Sequence, residues 1–131
     1  MKKILLGTSI LIDFIRRNNK ENTLLVRFTK EGYHLYVSIL THTEIYAGRS
    51  VWENTAVRQE AEKLFSGMEI MPLEKGISEK AGEIKAFYAT TLTDAIIAAT
   101  ALVHDITLAT FNVKDFEKIK GIRLFPNDLR N

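Results

Sequence analysis

Ile4-Leu5-Leu6-Gly7-Thr8-Ser9 is the stretch that decides how this chain folds. Three apolar residues in unbroken succession suit a strand buried on both faces, as the central strands of parallel sheets are. Gly7 ends the run, and Thr8 or Ser9 then offers a hydroxyl to cap a helix whose apolar residues fall at helical spacing from Ile10 to Ile15. Arg16, Arg17 and Asn18 close that helix, cations suiting its negative C-terminal end. Asp13 is expected to interact with Arg16 on its surface.

Outward from this unit the alternation continues. A second helix is expected over Glu21 to Lys30, broken by Gly32 before a strand at Leu35-Tyr36-Val37, with Ser38 as a turn residue. Thr41 to Ala47 reads as a helix stopped by Gly48, and Trp52 to Phe65 as an amphipathic one. Met68 to Met71 is the third expected strand, stopped by Pro72, and Glu74 to about Phe87 the next helix. Ala95 to Val103 is apolar nearly all round, which predicts a helix in the interior. Thr107 to Thr110 gives a fourth strand, Val113 to Ile119 a short turn or helix, and Arg123-Leu124-Phe125 a fifth strand ended by Pro126. Strands alternating with helices make βαβ units, so the expected class is α/β: a three-layer fold, a central parallel sheet of about five strands with helices on both faces.

Bulk properties bound the rest. A length of 131 residues suits a single domain, and 46% hydrophobic with 26% charged residues suits a folded globule. No cysteine is present, which excludes disulfides and thiolate zinc sites and favours a reducing compartment, the cytoplasm. The apolar N-terminal run is interrupted by Asp13, Arg16 and Arg17 before a signal-peptide cleavage site could follow. No stretch approaches the roughly 20 apolar residues of a membrane helix. A formal charge of +2 is too small to argue for nucleic acid by itself.

Ligands of open parallel sheets bind at the carboxyl ends of the strands. Those positions hold Gly7, Thr8 and Ser9 after strand one, Glu44 one helical turn past strand two, Asp94 opening the buried helix, and Thr110, Asn112 and Asp115 after strand four. Carboxylates gathered from distant segments repel one another, and a divalent cation is the simplest way to stabilise them; oxygen donors select magnesium or manganese. Singly, each has a blander reading: Asp94 as a helix-start charge, Glu44 as a solvated face residue, Asp115 as a turn cap. His34, His42 and His104 lack metal-ligand spacing. Tyr33, Tyr36 and Phe87 read as core or edge packing.

In these residues the chain resembles PIN-domain endoribonucleases and, among them, VapC-type toxins of toxin-antitoxin pairs. The resemblance spans nearly the whole chain as one PIN domain, 1–131. It is carried by Ile4 to Asp13, by Ser38 to Gly48 with Glu44, by Leu92 to Leu102 with Asp94, and by Leu108 to Phe116 with Asp115. It implies that Glu44, Asp94 and Asp115 bind Mg2+ or Mn2+ and act in catalysis, with Thr8, Thr110 and Asn112 in support. It implies metal-assisted hydrolysis of RNA, a homodimer, and a VapB-like antitoxin whose tail covers the helices and blocks the crevice. The candidate docking surfaces are the helices from Glu21 to Lys30 and from Trp52 to Phe65.

Two departures stand out. Family members carry a metal-binding aspartate where this chain has Gly7, so the resemblance implies an inactivated form; the bland reading of Gly7 is a turn residue with positive φ or a point of close backbone approach. The link from Phe87 to Asp94 is also short, leaving Tyr88-Ala89-Thr90-Thr91 to connect two helices. The alternative readings are a catalytically silent protein that binds an antitoxin or RNA, a PIN domain that processes RNA without an antitoxin, and a flavodoxin-like or dinucleotide-binding module. The last lacks a glycine-rich phosphate loop after strand one.

Overall fold

The structure is a computed structural model that describes residues 2–126. Its centre is β1 (Lys3–Leu6), joined in parallel to β2 (His34–Ser38) on one side and β4 (Leu108–Ala109) on the other. Outside β2 lies β3 (Glu69–Met71), so the sheet runs β3-β2-β1-β4. The unbroken apolar run of β1 divides between two cores as the period-two geometry of a strand requires. Leu5, Tyr36 and Leu108 face one side; Ile4, Leu6, Leu35, Val37 and Ala109 face the other. Each face is then covered by helices, which gives three layers.

One face carries α6 (Lys75–Phe87) and α7 (Leu92–His104) through Ile77, Ala81, Ile84 and the run from Ala95 to Ala99. Seven consecutive residues of α7, Ala95 to Ala101, are buried, as its all-round apolar surface demands. The other face carries α1 (Thr8–Arg16), α2 (Leu24–Lys30) and α5 (Thr55–Ser66) through Ile10, Leu11, Leu25, Phe28, Ala61 and Phe65. The short α3 (Ile39–Tyr46) and α4 (Arg49–Glu53) connect β2 to α5, and α8 (Val113–Phe116) follows β4. Among the described residues no helix is long and apolar enough to cross a membrane.

Several boundaries differ from expectation. The segment Trp52 to Phe65 is two helices, because Asn54 leaves the helical path and its Oδ1 accepts from the amides of Ala56 and Val57 at 2.9 and 3.3 Å. The segment Glu21 to Lys30 is a 3-10 turn (Lys20–Asn22) followed by α2, with Thr23 capping Val26. Ser38 is the N-cap of α3 through the Leu40 amide at 3.0 Å, so that helix starts before Thr41. The third and fourth strands are shorter than expected, as is α8. The expected fifth strand reduces to one parallel bridge, Leu108 to Leu124. Two hydrogen bonds hold it, from Leu108 N to Arg123 O and from Phe125 N to Leu108 O, both 2.9 Å. A partner strand of two residues offers no more ladder than that. Asp13 pairs with Arg17 at 3.0 Å, one helical turn away, rather than with Arg16. Phe87 is not packed: as the last residue of α6 it is 80% exposed.

Candidate active site

At the carboxyl end of β1, buried Gly7 is the N-cap of α1 and supplies no capping side chain. Its φ of −72° and ψ of 161° are ordinary extended backbone, so the positive-φ reading fails; any residue could adopt this conformation. Space is the tighter constraint. A Cβ placed here would lie 3.1 Å from the Ala109 carbonyl oxygen and 3.3 Å from Thr110 Cβ.

Two hydroxyl networks spread from the first turn of α1. Thr8 donates to Glu44 Oε1 at 2.6 Å and meets Thr41 Oγ1 at 3.1 Å, which ties α1 to α3 and fixes the exposed Glu44 carboxylate. Thr41 is fully buried. It lies three residues before Glu44, on the same helical face, a spacing that could have singled it out from the sequence. On the other side Ser9 Oγ meets Thr110 Oγ1 at 3.3 Å and accepts from the Phe111 amide at 3.0 Å. Thr110, itself buried, accepts from the Asn112 amide at 3.0 Å. Ser9 therefore acts as a clamp on the β4 to α8 loop, a role that the sequence did not mark. Asn112 precedes α8, which holds Asp115 in its first turn.

Asp94 opens α7, where the Thr91 side chain caps its amide at 3.1 Å. Its carboxyl is held above the ordinary carboxylate range, first by burial and then by the negative charges of Asp115 and Glu44. A hydrogen bond with Thr91 and the Lys118 ammonium pull the other way. The structure thus brings Glu44, Asp94 and Asp115, which are 50 and 21 residues apart in succession, into one electrostatic field. The short link is anchored at its start: Lys118 donates to the Ala89 carbonyl, and the Lys120 amide donates to the Tyr88 hydroxyl at 3.2 Å, fastening Tyr88 and Ala89 to the segment after α8.

Oxygen donors of this kind suit a hard divalent cation. Yet among the described residues no three His, Cys, Asp or Glu side chains stand close enough to hold one together. The residues present do not close a three-carboxylate centre, and Gly7 adds no ligand at the strand end where a further side chain would project.

The comparisons with known proteins agree with this architecture. The PIN domain family model matches residues 4–122. Ribonuclease VapC10 of Mycobacterium tuberculosis is 30% identical over 125 residues, covering 92% of this chain and 90% of its own length. The DNA-bound VapBC crystal structure from Salmonella typhimurium superposes with a TM-score of 0.82 at 25% identity, covering 95% of this chain and 98% of the matched one. A toxin-antitoxin complex from Klebsiella pneumoniae gives 0.73 at 28% identity over 91% and 94%. With the parallel sheet, the strand order and a family match over nearly its whole length, this chain belongs to the PIN-domain family and to the VapC-type group within it.

Proposed function

We propose that this chain is the toxin of a toxin-antitoxin pair, a magnesium-dependent endoribonuclease by family that is disabled in this form by glycine at position 7. One observation carries the reading: Gly7 directly follows the central strand, beside Thr8, which holds Glu44, while Asp94 feels the charges of both Glu44 and Asp115. With a carboxylate at position 7 beside Glu44, Asp94 and Asp115, these residues would hold a divalent ion, whose chemistry would be to activate water and offset charge on the phosphate. Here the chain's own contribution is limited to positioning. Thr8 and Thr41 orient Glu44, Ser9 and Thr110 hold the loop leading to Asp115, and Thr91 fixes the start of α7. With no carboxylate at position 7, the remaining acids fall short of a full ligand set.

The test is RNA cleavage in magnesium by Gly7→Asp beside the unaltered chain. Cleavage by the variant alone is expected, and equal activity in both would discard the inactivation. Failure of the variant to cleave RNA would remove the ribonuclease reading itself.

A second reading, a silent protein that captures an antitoxin, draws on a groove of 350 Å³ between α1 and the α3 to α5 segment. Ile12, Ile15, Val51 and Val57 give it apolar walls, and Glu44 and Glu60 place two carboxylates along it. That combination suits an amphipathic helical tail that ends in a basic side chain. Trp52, next in the chain to the lining Val51, is 62% exposed and donates from its indole to the Tyr46 carbonyl at 2.6 Å. Either reading also includes a cytoplasmic homodimer, for which Phe87, Leu92 and Val103 offer exposed apolar surface. Light scattering alone and with a cognate partner separates the states, and a monomer that binds no helical peptide counts against both partners.

A further inference from the structure

Arg16 lines the 350 Å³ groove and also a cleft of 480 Å³ formed by α1 and the β4 to α8 loop. In that cleft Arg17 is committed to Asp13 at 3.0 Å, whereas the Arg16 side chain has no ion pair or hydrogen bond to any described residue. The cleft therefore holds one uncommitted guanidinium. Opposite it stands the β4 to α8 loop, with the half-buried Phe111, which also packs against the apolar layer holding Ile10 and Leu11, and the exposed Asn112; Ile12 adds an apolar side chain from α1. Ser9 joins the two sides through its hydrogen bonds to Thr110 and the Phe111 amide. Residues of the cleft neighbour those of the candidate site along the chain: Ser9 follows Thr8, which holds Glu44, and Asn112 lies three residues before Asp115.

A guanidinium binds phosphate as a planar fork, an aromatic ring with an aliphatic neighbour receives the face of a base, and a primary amide can donate to and accept from a base edge. An acidic peptide would use only the first of these. We propose that this cleft is a subsite for one nucleotide of single-stranded RNA next to the scissile bond, with its phosphate on Arg16 and its base against Phe111, Ile12 and Asn112. This rests on the ribonuclease reading and adds to it where the strand is held.

The experiment measures binding of a fluorescein-labelled ten-nucleotide single-stranded RNA to the whole chain, by anisotropy across a salt series. Arg16→Ala should weaken binding about tenfold and flatten the salt slope by about 0.7, the change for one phosphate contact on a single strand. Phe111→Leu should weaken it at least about fivefold with an unchanged slope, as loss of a stacked base does. Lys85→Ala, an equal charge loss on the exposed face of α6, should change little. The subsite is overturned by absence of RNA binding, by unchanged binding in Arg16→Ala, or by an equal loss in Lys85→Ala. It is also overturned if poly-glutamate binds with the same Arg16 dependence and no Phe111 dependence. In the Gly7→Asp background the two proposals separate: cleavage with KM unmoved by Arg16→Ala removes the subsite alone, whereas no cleavage by Gly7→Asp removes the nuclease.

Discussion

The amide of Gly7 donates to the carbonyl of Ala109 at 2.8 Å, and a Cβ at position 7 would stand 3.1 Å from that same oxygen. The β1 to β4 seam is therefore closed tightly at the point where the resemblance implies a metal ligand. Because the backbone there is extended, Gly7→Ala incurs no torsional penalty and gains about 0.4–1 kcal/mol through the unfolded chain. Against this stands overpacking at about 1–3 kcal/mol. Packing wins, and Gly7→Ala should be about 1 kcal/mol less stable in urea unfolding with an unchanged m-value. A more stable variant would mean that Ala109 and Thr110 yield freely. Gly7→Asp adds a charge to the same strain, so its loss should be larger in EDTA and shrink as magnesium is added.

Thr8 links the buried Thr41 to the Glu44 carboxylate through contacts of 3.1 and 2.6 Å. In the Gly7→Asp background, Thr8→Val should reduce cleavage about 10–100-fold, the range seen when a partner that orients a metal-site ligand is lost. Thr8→Ser, which keeps the hydroxyl, should recover most of it. Magnesium titration of each variant is the second readout, since a purely structural defect would move stability without moving metal affinity. Equal cleavage by Thr8→Val and its parent would remove Thr8 from the machinery.

What the sequence disclosed follows from how local each signal is. The β1 run and the all-apolar α7 were legible because burial on every side leaves no polar residue in the run, and both occupy the interior as expected. Glu44 and Asp115 were singled out because they lie past the ends of β2 and β4, where ligands of parallel sheets bind, whereas Asp94 opens α7 directly after α6 and no strand end points to it. Less legible were effects of single side chains competing for backbone amides. Asn54 divides α4 from α5 and Thr23 divides a 3-10 turn from α2, although both segments keep helical periodicity across the break. The choice of Arg17 over Arg16 as partner to Asp13 likewise turns on one residue of helical phase. Ser9 was invisible as a clamp because its partners, Thr110 and Phe111, lie about a hundred residues away.

Asp94 gives the molecule a pH dependence of definite sign. Burial, then Asp115 and Glu44, raise its folded-state pKa above the unfolded value. The folded chain thus holds this proton more tightly than the unfolded chain, and the linkage slope is negative. Its contribution to stability is complete below the ordinary carboxylate value. It is lost as pH rises through the raised one. Asp94→Asn should abolish that part of the slope and be the more stable protein at neutral pH without metal, measured as the difference between the two urea-unfolding series. Lys118→Met should steepen the slope in the parent, because the ammonium that lowers the Asp94 pKa is gone. Parallel curves for Asp94→Asn and the parent would show that Asp94 titrates normally.

Phe125 closes the sheet edge although its strand is barely formed. Its ring centroid lies 4.8 Å from that of the buried Phe28 and 6.5 Å from that of Tyr33, in edge-to-face arrangements that suit aromatic quadrupoles. Its amide donates to Leu108 O at 2.9 Å. Side-chain packing thus adds to the two ladder hydrogen bonds that hold this segment. Phe125→Ala should cost about 2 kcal/mol, below the range for a fully buried phenylalanine because Phe125 is only half-buried. Phe125→Leu, which keeps the apolar volume and loses the ring edges, should cost about 1 kcal/mol. Hydrogen exchange gives the local test: in Phe125→Ala the Leu108 amide, which donates to Arg123, should lose protection while the amides of α6 keep theirs. Protection retained at Leu108 would show that the single bridge to Leu124 holds this edge without the aromatic anchor.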